Sequence, residues 1–276
     1  MSDKPTIAIS HLTPELEGYY ALFALAKIWL RQGYRIEVGP TYTTSAHVCI
    51  LHHDRTKLDP KVLPVAPTGA RIVNGKVLDI SKRAYSTLAV SQADDWVGPV
   101  IVKTDLNHFG VPERKASKHD FLMSARRHLA RLSWRAARSL PKRSYPVLKS
   151  IADVPNWVWA SPEFLVEKFL PEISGDGLYC VRGWFFFGDK SYGYRVFATN
   201  PLVKTWTMVR YEYLDEVPDE LSVLRRQMGF DYGKFDYVQH DGRAILLDAN
   251  RTPTVSSTRE SPRLLMLAEG IKAFLQ

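Results

Sequence analysis

The first fifty residues combine two hydrophobic periodicities that together restrict the fold. Thr6–Ser10 is a short apolar run typical of a buried strand, and residues 14–32 place apolar side chains at the three- and four-residue spacing of an amphipathic helix. Residues 34–38 and 47–51 are again strand-like. A helix between two strands predicts a parallel pair, because parallel neighbours need a crossover of about this length. The chain therefore begins with a small α/β lobe.

The rest of the chain continues this mixture of strands and helices. Apolar runs flank Asn74 and Gly75, a dipeptide typical of hairpin turns, and predict a hairpin over residues 71–80. Later strands are predicted by apolar or alternating runs, at residues 100–102, 164–169, 179–187, 194–198, 234–239 and 243–248. Later helices are predicted by helical spacing, at residues 119–140, 220–228 and 261–275. This pattern predicts an α/β protein made of α+β lobes.

The positive charge of the chain is concentrated in one segment. The net charge is +8, and residues 114–149 contain eleven Lys and Arg against one acidic residue, Asp120. Three interpretations remain open for this segment: a solvated surface, a wall that attracts an anionic substrate, or a contact with nucleic acid or an acidic protein. The body of the protein is nearly neutral, which excludes a uniformly basic nucleic-acid binder.

The sequence also indicates the cellular compartment of the protein and the redox state of its two cysteines. No apolar run approaches the roughly 18 residues that a membrane span needs, and the first residues lack the order of a signal peptide. Cys49 and Cys180 lie in apolar runs far apart, so we expect two reduced core thiols. These observations predict a cytoplasmic protein.

The last predicted hairpin carries three oxygen ligands. Asp236 lies on its first strand, and Asp248 and Asn250 lie at the end of the second. Side chains two residues apart share a face of a strand, and the hairpin brings Asp236 across from them. Mg²⁺ prefers such carboxylate and amide oxygens, although Asp and Asn are also common in turns.

Two further segments suggest a phosphate site and an adenine site. Lys103 directly follows a buried strand and precedes a polar loop that ends at Gly110, an arrangement that can hold phosphates. Residues 165–170 form an apolar strand that runs into Pro171, which cannot continue a ladder. The extended backbone there could hydrogen-bond an adenine edge. An edge lysine and an ordinary strand are the alternatives.

Together, and in this order, these segments resemble the ATP-grasp superfamily, whose members include carboxylate–amine ligases that use Mg²⁺-ATP. The resemblance covers about residues 74–253 and is strongest from residue 165 onward. It implies an ATP-grasp fold in which residues 1–78 form a small α/β lobe, residues 79–165 a central subdomain with the basic segment, and residues 166–276 a C-terminal subdomain with the metal-binding hairpin.

The resemblance also implies roles for individual residues. Lys82 and Lys103 would contact the phosphates, and residues 107–110 would form a mobile loop over them. The other implied roles are the adenine hinge of Glu167, Lys168, Phe169 and Leu170, the ribose partner Glu172, the metal ligands Asp236, Asp248 and Asn250, and the catalytic Arg182 beside Lys103 near the transferred phosphate. Many members have Glu where this chain has Asp248, which leaves one or two metal ions, Mg²⁺ or Mn²⁺, as open alternatives.

The implied reaction transfers the γ-phosphate of ATP to a substrate carboxylate, and an amine or other nucleophile then displaces phosphate from the acyl phosphate. A small-molecule kinase, a non-catalytic nucleotide-binding protein and a nucleic-acid binder are the alternatives.

His52 and His53 follow a strand in the first lobe, where a turn role and a substrate contact are both open. The identity of the carboxylate substrate and the oligomeric state are not predicted.

Overall fold

The structure, a computed structural model, describes residues 4–116, 126, 129–141, 144–255 and 259–275. These residues form three separate sheets, which follow one another along the chain. No helix among them is both long enough and apolar enough to cross a membrane.

The N-terminal sheet is fully parallel, as its strand–helix–strand opening predicts. Its strands lie in the order β2-β1-β3-β4, and every neighbouring pair is parallel. The elements are β1 (Thr6–Ser10), α1 (Ala21–Arg31), β2 (Arg35–Gly39), β3 (Val48–Leu51), the 3₁₀ turn Pro60–Val62 and β4 (Arg71–Val73). The prediction of a helix from residue 14 is wrong at its start, because Tyr20 is extended and pairs with Thr254.

The predicted hairpin around Asn74 and Gly75 does not form. β4 before the turn pairs in parallel with β3, and residues 76–80 after the turn form no strand. The reason is a long-range contact of the fully buried Asn74. Its amide donates to the carbonyl of Tyr232 and accepts the backbone N–H groups of Asp231 and Tyr232. The turn is therefore fixed to the C-terminal sheet instead of returning on its own strand.

The central sheet is a three-stranded antiparallel sheet in the order β6-β5-β7. Its strands are β5 (Val100–Thr104), β6 (Val147–Leu148) and β7 (Phe164–Lys168). The short helices around it are α2 (Lys82–Tyr85), α3 (Val111–Ala116), α4 (Trp134–Ala137) and α5 (Asn156–Trp159), with 3₁₀ turns at Asn107–Gly110 and Ile151–Asp153. β7 crosses the predicted lobe boundary at residue 165.

The N-terminal part of the predicted helix over residues 119–140 lies outside the described residues, as does part of the basic segment. Its described C-terminal part is not one continuous helix. Ser133 caps the four-residue α4 through the N–H of Ala136, and Arg138 ends it with a φ of 47°. The alternative roles of the basic segment therefore stay open.

The C-terminal sheet is antiparallel, in the order β11-β10-β9-β12-β13, and β8 pairs with β9 beside β12. The predicted hairpin of residues 234–239 and 243–248 is confirmed, and the strands predicted at residues 179–187 and 194–198 pair with each other in antiparallel. The elements are β8 (Glu172–Ile173), β9 (Tyr179–Phe187), β10 (Lys190–Ala198), the 3₁₀ turn Thr205–Thr207, β11 (Met208–Leu214), α6 (Asp219–Gln227), β12 (Tyr232–His240), β13 (Arg243–Asn250), α7 (Pro262–Glu269) and the 3₁₀ helix Gly270–Phe274.

Arg251 joins the N-terminal lobe to the end of β13. It is completely buried, and its guanidinium donates to the carbonyl oxygens of His53, Val77 and Arg55. Burial lowers its pKa to about 10, so it remains charged at neutral pH. This contact fixes the residues beside Asn250 against the loops that follow β3 and β4.

Candidate functional site

The hairpin of β12 and β13 presents four polar side chains on one face. Asp236 lies directly opposite Asp248, and Lys234 lies opposite Asn250. Because opposed residues in an antiparallel pair share a face, the hairpin brings Asp236 to the other two predicted ligands. The convergence predicted from sequence is therefore present.

Each of the two carboxylates is paired with a lysine. Lys82 Nζ lies 3.0 Å from Asp248 Oδ1, and Lys234 Nζ lies 2.9 Å from Asp236 Oδ2. Burial acts to lower the pKa of Lys82 and of Lys234, but the facing aspartates outweigh it and hold both pKa values above their ordinary range. Burial likewise acts to raise the pKa of Asp248, yet Lys82, Lys234 and Lys103 together keep it lowered.

Lys103 reaches the same region from the central sheet. Its Nζ lies 2.5 Å from Glu167 Oε2, and the two side chains are 10% and 2% exposed. The register of β5 and β7 places Lys103 and Glu167 on one face of that sheet. The positive charge of Lys103 also contributes to the lowered pKa of Asp248. The predicted phosphate lysines, Lys82 and Lys103, thus face the C-terminal carboxylates.

A fourth lysine, Lys204, approaches from the segment after β10. Its Nζ lies 5.7 Å from the ring centre of Phe109 and 5.5 Å from that of Tyr145, and these two rings stack at 4.6 Å. Burial lowers the pKa of Lys204, against the attraction of Asp248 and Asp236. Phe109 belongs to the predicted phosphate loop, whose first residue Asn107 is anchored by donating to the Asp54 carbonyl.

Among the described residues, one backbone N–H of the predicted adenine hinge has no backbone acceptor. The N–H of Lys168 donates to the Leu88 carbonyl, and that of Phe169 donates to the Pro99 carbonyl. Within the described parts of the chain, the N–H of Leu170 meets no backbone acceptor. The Lys168 side chain points away from Glu167 and lies over the Trp96 ring. The N–H of Leu170 is therefore the hinge donor that is available to a base.

The structure does not bring Arg182 and Glu172 to the carboxylates of the hairpin. They bind each other instead, with Arg182 Nη2 donating to Glu172 Oε1 at 2.7 Å, and Glu172 also accepts the N–H of Gln239. Arg182 lies opposite Tyr237 in the sheet, so its side chain leaves on the face opposite to Asp236. The catalytic role of Arg182 and the ribose contact of Glu172 stay predictions.

The donor set fits a hard divalent cation. Two facing carboxylates and the Asn250 amide oxygen are the oxygen ligands that Mg²⁺ takes. Asn250 Oδ1 accepts the N–H of Thr252 at 2.8 Å, which fixes its orientation toward the strand end. Among the described residues, no three His, Cys, Asp or Glu side chains form a metal-binding group, so an ion here would depend on the amide and on phosphate oxygens.

Sequence reasoning missed two members of the cluster. Lys234 could have been found, because it precedes Asp236 by two residues on a predicted strand and must share its face. Lys204 could not, because it lies in an irregular segment whose position depends on how the central and C-terminal sheets pack.

No protein-family model and no curated protein sequence matches the chain. Solved structures do resemble it. The macrocyclase MdnC from Microcystis aeruginosa, bound to the precursor peptide MdnA, has a TM-score of 0.56 at 10% identity, covering 96% of this chain and 98% of its own.

Two further solved structures are similar over nearly the whole chain. The ATP-grasp ligase PsnB, in complex with a minimal precursor, has a TM-score of 0.52 at 10% identity and covers 91% of both chains. A RimK-domain ATP-grasp protein from Sphaerobacter thermophilus has a TM-score of 0.50 at 11% identity, covering 98% of this chain and 100% of its own. At such identities the likeness concerns the fold. The chain therefore has an ATP-grasp fold of the α/β class.

Proposed function

We propose that the protein is an ATP-dependent ligase that activates a carboxylate substrate as an acyl phosphate. The observation that supports this most is the convergence of lysines from separate elements on Asp236 and Asp248. Lys82 comes from α2 and Lys103 from β5, yet both act on Asp248. Holding a triphosphate requires such a concentration of fixed positive charge, because phosphoryl transfer depends on positioning and charge stabilisation.

The nucleotide lies between the central and C-terminal sheets in this proposal. Its phosphates contact Lys82, Lys103 and Lys204. Its adenine edge accepts a hydrogen bond from the N–H of Leu170. Phe109 and the loop around it cover the phosphates from the side of Lys204. The ion pairs with Asp248 and Glu167 orient the side chains of Lys82 and Lys103 when no nucleotide is bound.

Asp248 and Asn250, with Asp236, would hold the Mg²⁺ or Mn²⁺ ion. Bound there, the ion would neutralise phosphate oxygens and help to align the triphosphate. Lys82 would have to leave Asp248 for this, and its ammonium would then be free to contact the phosphates.

The proposed chemistry has two steps. A carboxylate oxygen of the substrate attacks the γ-phosphorus, the bond to ADP breaks, and an acyl phosphate forms. An amine or another nucleophile then attacks the acyl carbon, phosphate leaves, and the nucleophile loses a proton. The resemblance to MdnC and PsnB, which were solved with precursor molecules, places peptides among the substrates to be tested.

The test is ATP turnover against a panel of carboxylic acids, peptides and amines, with ADP and phosphate quantified and hydroxylamine added to trap an acyl phosphate. We expect substrate-dependent ADP formation and a hydroxamate product. Asp248→Ala and Asn250→Ala should abolish Mg²⁺-dependent turnover while the circular dichroism spectrum is unchanged. Full activity in both variants would remove the metal assignment, and turnover without a hydroxamate would favour a kinase.

A further inference from the structure

We propose that the protein forms a homodimer in which the edge strand β11 pairs antiparallel with β11 of a second copy, centred on Tyr211. This surface lies outside the proposed nucleotide site, so either proposal can fail without the other. The second copy fits because β11 (Met208–Leu214) is complementary in charge to its own reverse.

β11 ends the C-terminal sheet, and one row of its backbone groups is unused. It pairs with β10 on one side, where Tyr211 lies opposite Val196 and Glu212 opposite Arg195. Among the described residues, no N–H or C=O group of β11 bonds to another backbone group outside that ladder. Alternate N–H and C=O groups of such a strand point away from the sheet and can pair with a further strand.

The opposite edge of the same sheet is closed. The N–H of Ala244 on β13 donates to Glu220 of α6, and the N–H of Ala249 donates to the Tyr85 hydroxyl of α2. No described side chain covers the backbone of β11 in this way, and β11 contains neither the proline nor the lysine that commonly block an edge. β11 is therefore the edge of this sheet that a further strand can join.

Large apolar side chains are exposed along this edge. Five of the eight residues 206–213 have apolar or aromatic side chains with exposed fractions between 40% and 64%, namely Trp206, Met208, Val209, Tyr211 and Tyr213. Isolated exposed apolar residues are ordinary, but a contiguous exposed run is typical of an interaction surface. The partner strand would cover this run.

The tyrosines of β11 lie on the face of the sheet that carries the carboxylates of the hairpin. Opposed residues share a face, and the registers lead from Tyr213 through Tyr194 and Gly183 to Asp236. Tyr194 packs over Gly183, where a Cβ atom would clash with its ring, and hydrogen-bonds with Lys234. In the dimer, the carboxylates of both copies therefore lie on the same side of one continuous sheet.

The charges of β11 select one register for this pairing. Arg210 and Glu212 lie two residues apart and share the face opposite to Tyr211. An antiparallel pair centred on Arg210 or on Glu212 would place two like charges directly opposite each other, which is destabilising. Centring on Tyr211 places Arg210 opposite the partner's Glu212 on both sides of the axis. Since Arg210 Nε also lies 2.9 Å from Glu212 Oε1 in its own chain, four charges of alternating sign form a network.

The first test measures molar mass by light scattering after size exclusion. The wild-type chain should be a dimer. Arg210→Glu and Glu212→Arg each place like charges opposite each other and should be monomeric alone, whereas an equimolar mixture of the two variants restores opposite charges at both positions and should be dimeric. Lys190→Glu is the matched control, because Lys190 forms an exposed pair with Asp189 beyond the end of β11, and it should stay dimeric.

The second test fixes the register by disulfide formation. Tyr211→Cys should give a covalent dimer under mild oxidation, because the axis brings the two copies of residue 211 opposite each other. Tyr213→Cys should not, because its own copy lies four residues away, about 14 Å along the strand, and a disulfide needs Cα atoms within about 7 Å. The native Cys49 and Cys180 are buried, so the wild type should give no covalent dimer.

A monomeric wild type, a dimer that both charge variants leave intact, or a variant mixture that stays monomeric would overturn the inference. Equal cross-linking by Tyr211→Cys and Tyr213→Cys would overturn it as well. Should a charge variant fail to fold by circular dichroism, the mass of the wild type and the two cysteine variants decide alone.

Discussion

Two clusters of buried basic side chains in this protein keep opposite protonation states. At the carboxyl end of the N-terminal sheet, burial and the nearby Arg251 and His11 lower the pKa of His53 to about 4 and hold that of His52 well below its ordinary value. In the cleft between the central and C-terminal sheets, which contains Asp236 and Asp248, facing carboxylates raise the pKa values of Lys82 and Lys234. Burial acts to remove the charge in both places, so the partner decides the outcome.

His52 and His53 form no ion pair with a carboxylate among the described residues, whereas His11 Nε2 lies 3.4 Å from Glu17 Oε2. His52 is fully buried, stacks on His11 at 5.6 Å and meets Tyr20 edge-on at 4.7 Å, and neither of its ring nitrogens has a hydrogen-bond partner among the described residues. His53 Nε2 contacts Ser10 Oγ at 2.9 Å. The nearby Asp54 carboxylate accepts the Tyr20 hydroxyl instead.

The cleft itself contains the same contrast on a smaller scale. Lys82, Lys103 and Lys234 each contact a carboxylate directly, whereas Lys204 faces aromatic rings and has a lowered pKa. A lysine with a direct carboxylate stays charged when buried, and one without it moves toward neutrality. The effect of a direct carboxylate contact on a buried basic side chain can therefore be tested by removing the partner, by changing the pH, or by disturbing the packing around a pair.

The largest effect is expected from Lys103→Met, which leaves Glu167 buried without a counter-ion. We expect a loss of about 3–5 kcal/mol in the free energy of unfolding, because an unpaired buried charge is costly. Urea unfolding at pH 7 measures it. The double variant Lys103→Met/Glu167→Leu should recover most of the loss. A loss below about 1 kcal/mol in the single variant would show that Glu167 does not depend on this lysine.

The second effect is acid destabilisation by the histidines. A group with a lowered folded pKa stabilises the protein above its unfolded pKa of 6.5, and this stability is lost as the pH falls from 6.5 toward 4. For His53 we expect a loss of about 2 kcal/mol between pH 7 and pH 5, with His52 adding to it. Unfolding curves at both pH values test this.

The double variant His52→Phe/His53→Gln should flatten this pH dependence, whereas His240→Gln, at an exposed site, should not. An unchanged slope in the double variant would show that these two histidines do not cause the acid sensitivity.

A third test disturbs the packing around Lys234. Gly183→Ala forces the Tyr194 ring to move, and we expect a loss of about 1–3 kcal/mol, as for other overpacked sites. Gly175→Ala, where an added Cβ meets nothing within 4 Å, is the matched control. Thermal unfolding of both variants gives the comparison. Equal stability of the two variants would mean that the Tyr194 ring moves aside without any loss of stability.

The smallest effect is expected at the exposed pair of Lys57 and Asp79. Their charged atoms are 3.0 Å apart, like those of Lys82 and Asp248, but the side chains are 64% and 40% exposed. Lys57→Met should cost only about 0–1 kcal/mol, and less at high salt. A cost near that of Lys103→Met in the same unfolding assay would contradict the role assigned to burial.

Local periodicity predicted the parts of the fold and site that depend on neighbours along the chain. Thr6–Ser10, the hairpin of Asp236 and Asp248, and the strand before Lys103 all follow from alternating or apolar runs. The prediction of a hairpin at Asn74 was wrong, because Asn74 hydrogen-bonds with Asp231, which lies 157 residues away along the chain. The position of Lys204 and the closure of Arg182 onto Glu172 also depend on how elements pack, which one sequence does not encode locally.

The central claim is that the lysine cluster holds the phosphates of ATP, and the most direct test is labelling with an acyl-phosphate derivative of ATP followed by peptide mapping. A lysine that touches the phosphates attacks the acyl carbon, forms an amide and releases ATP. We predict labelling of Lys204 first, because its lowered pKa makes it the more nucleophilic amine, then of Lys103 or Lys82, and suppression by excess Mg²⁺-ATP. Labelling confined to exposed lysines such as Lys57, or not suppressed by ATP, would contradict the account.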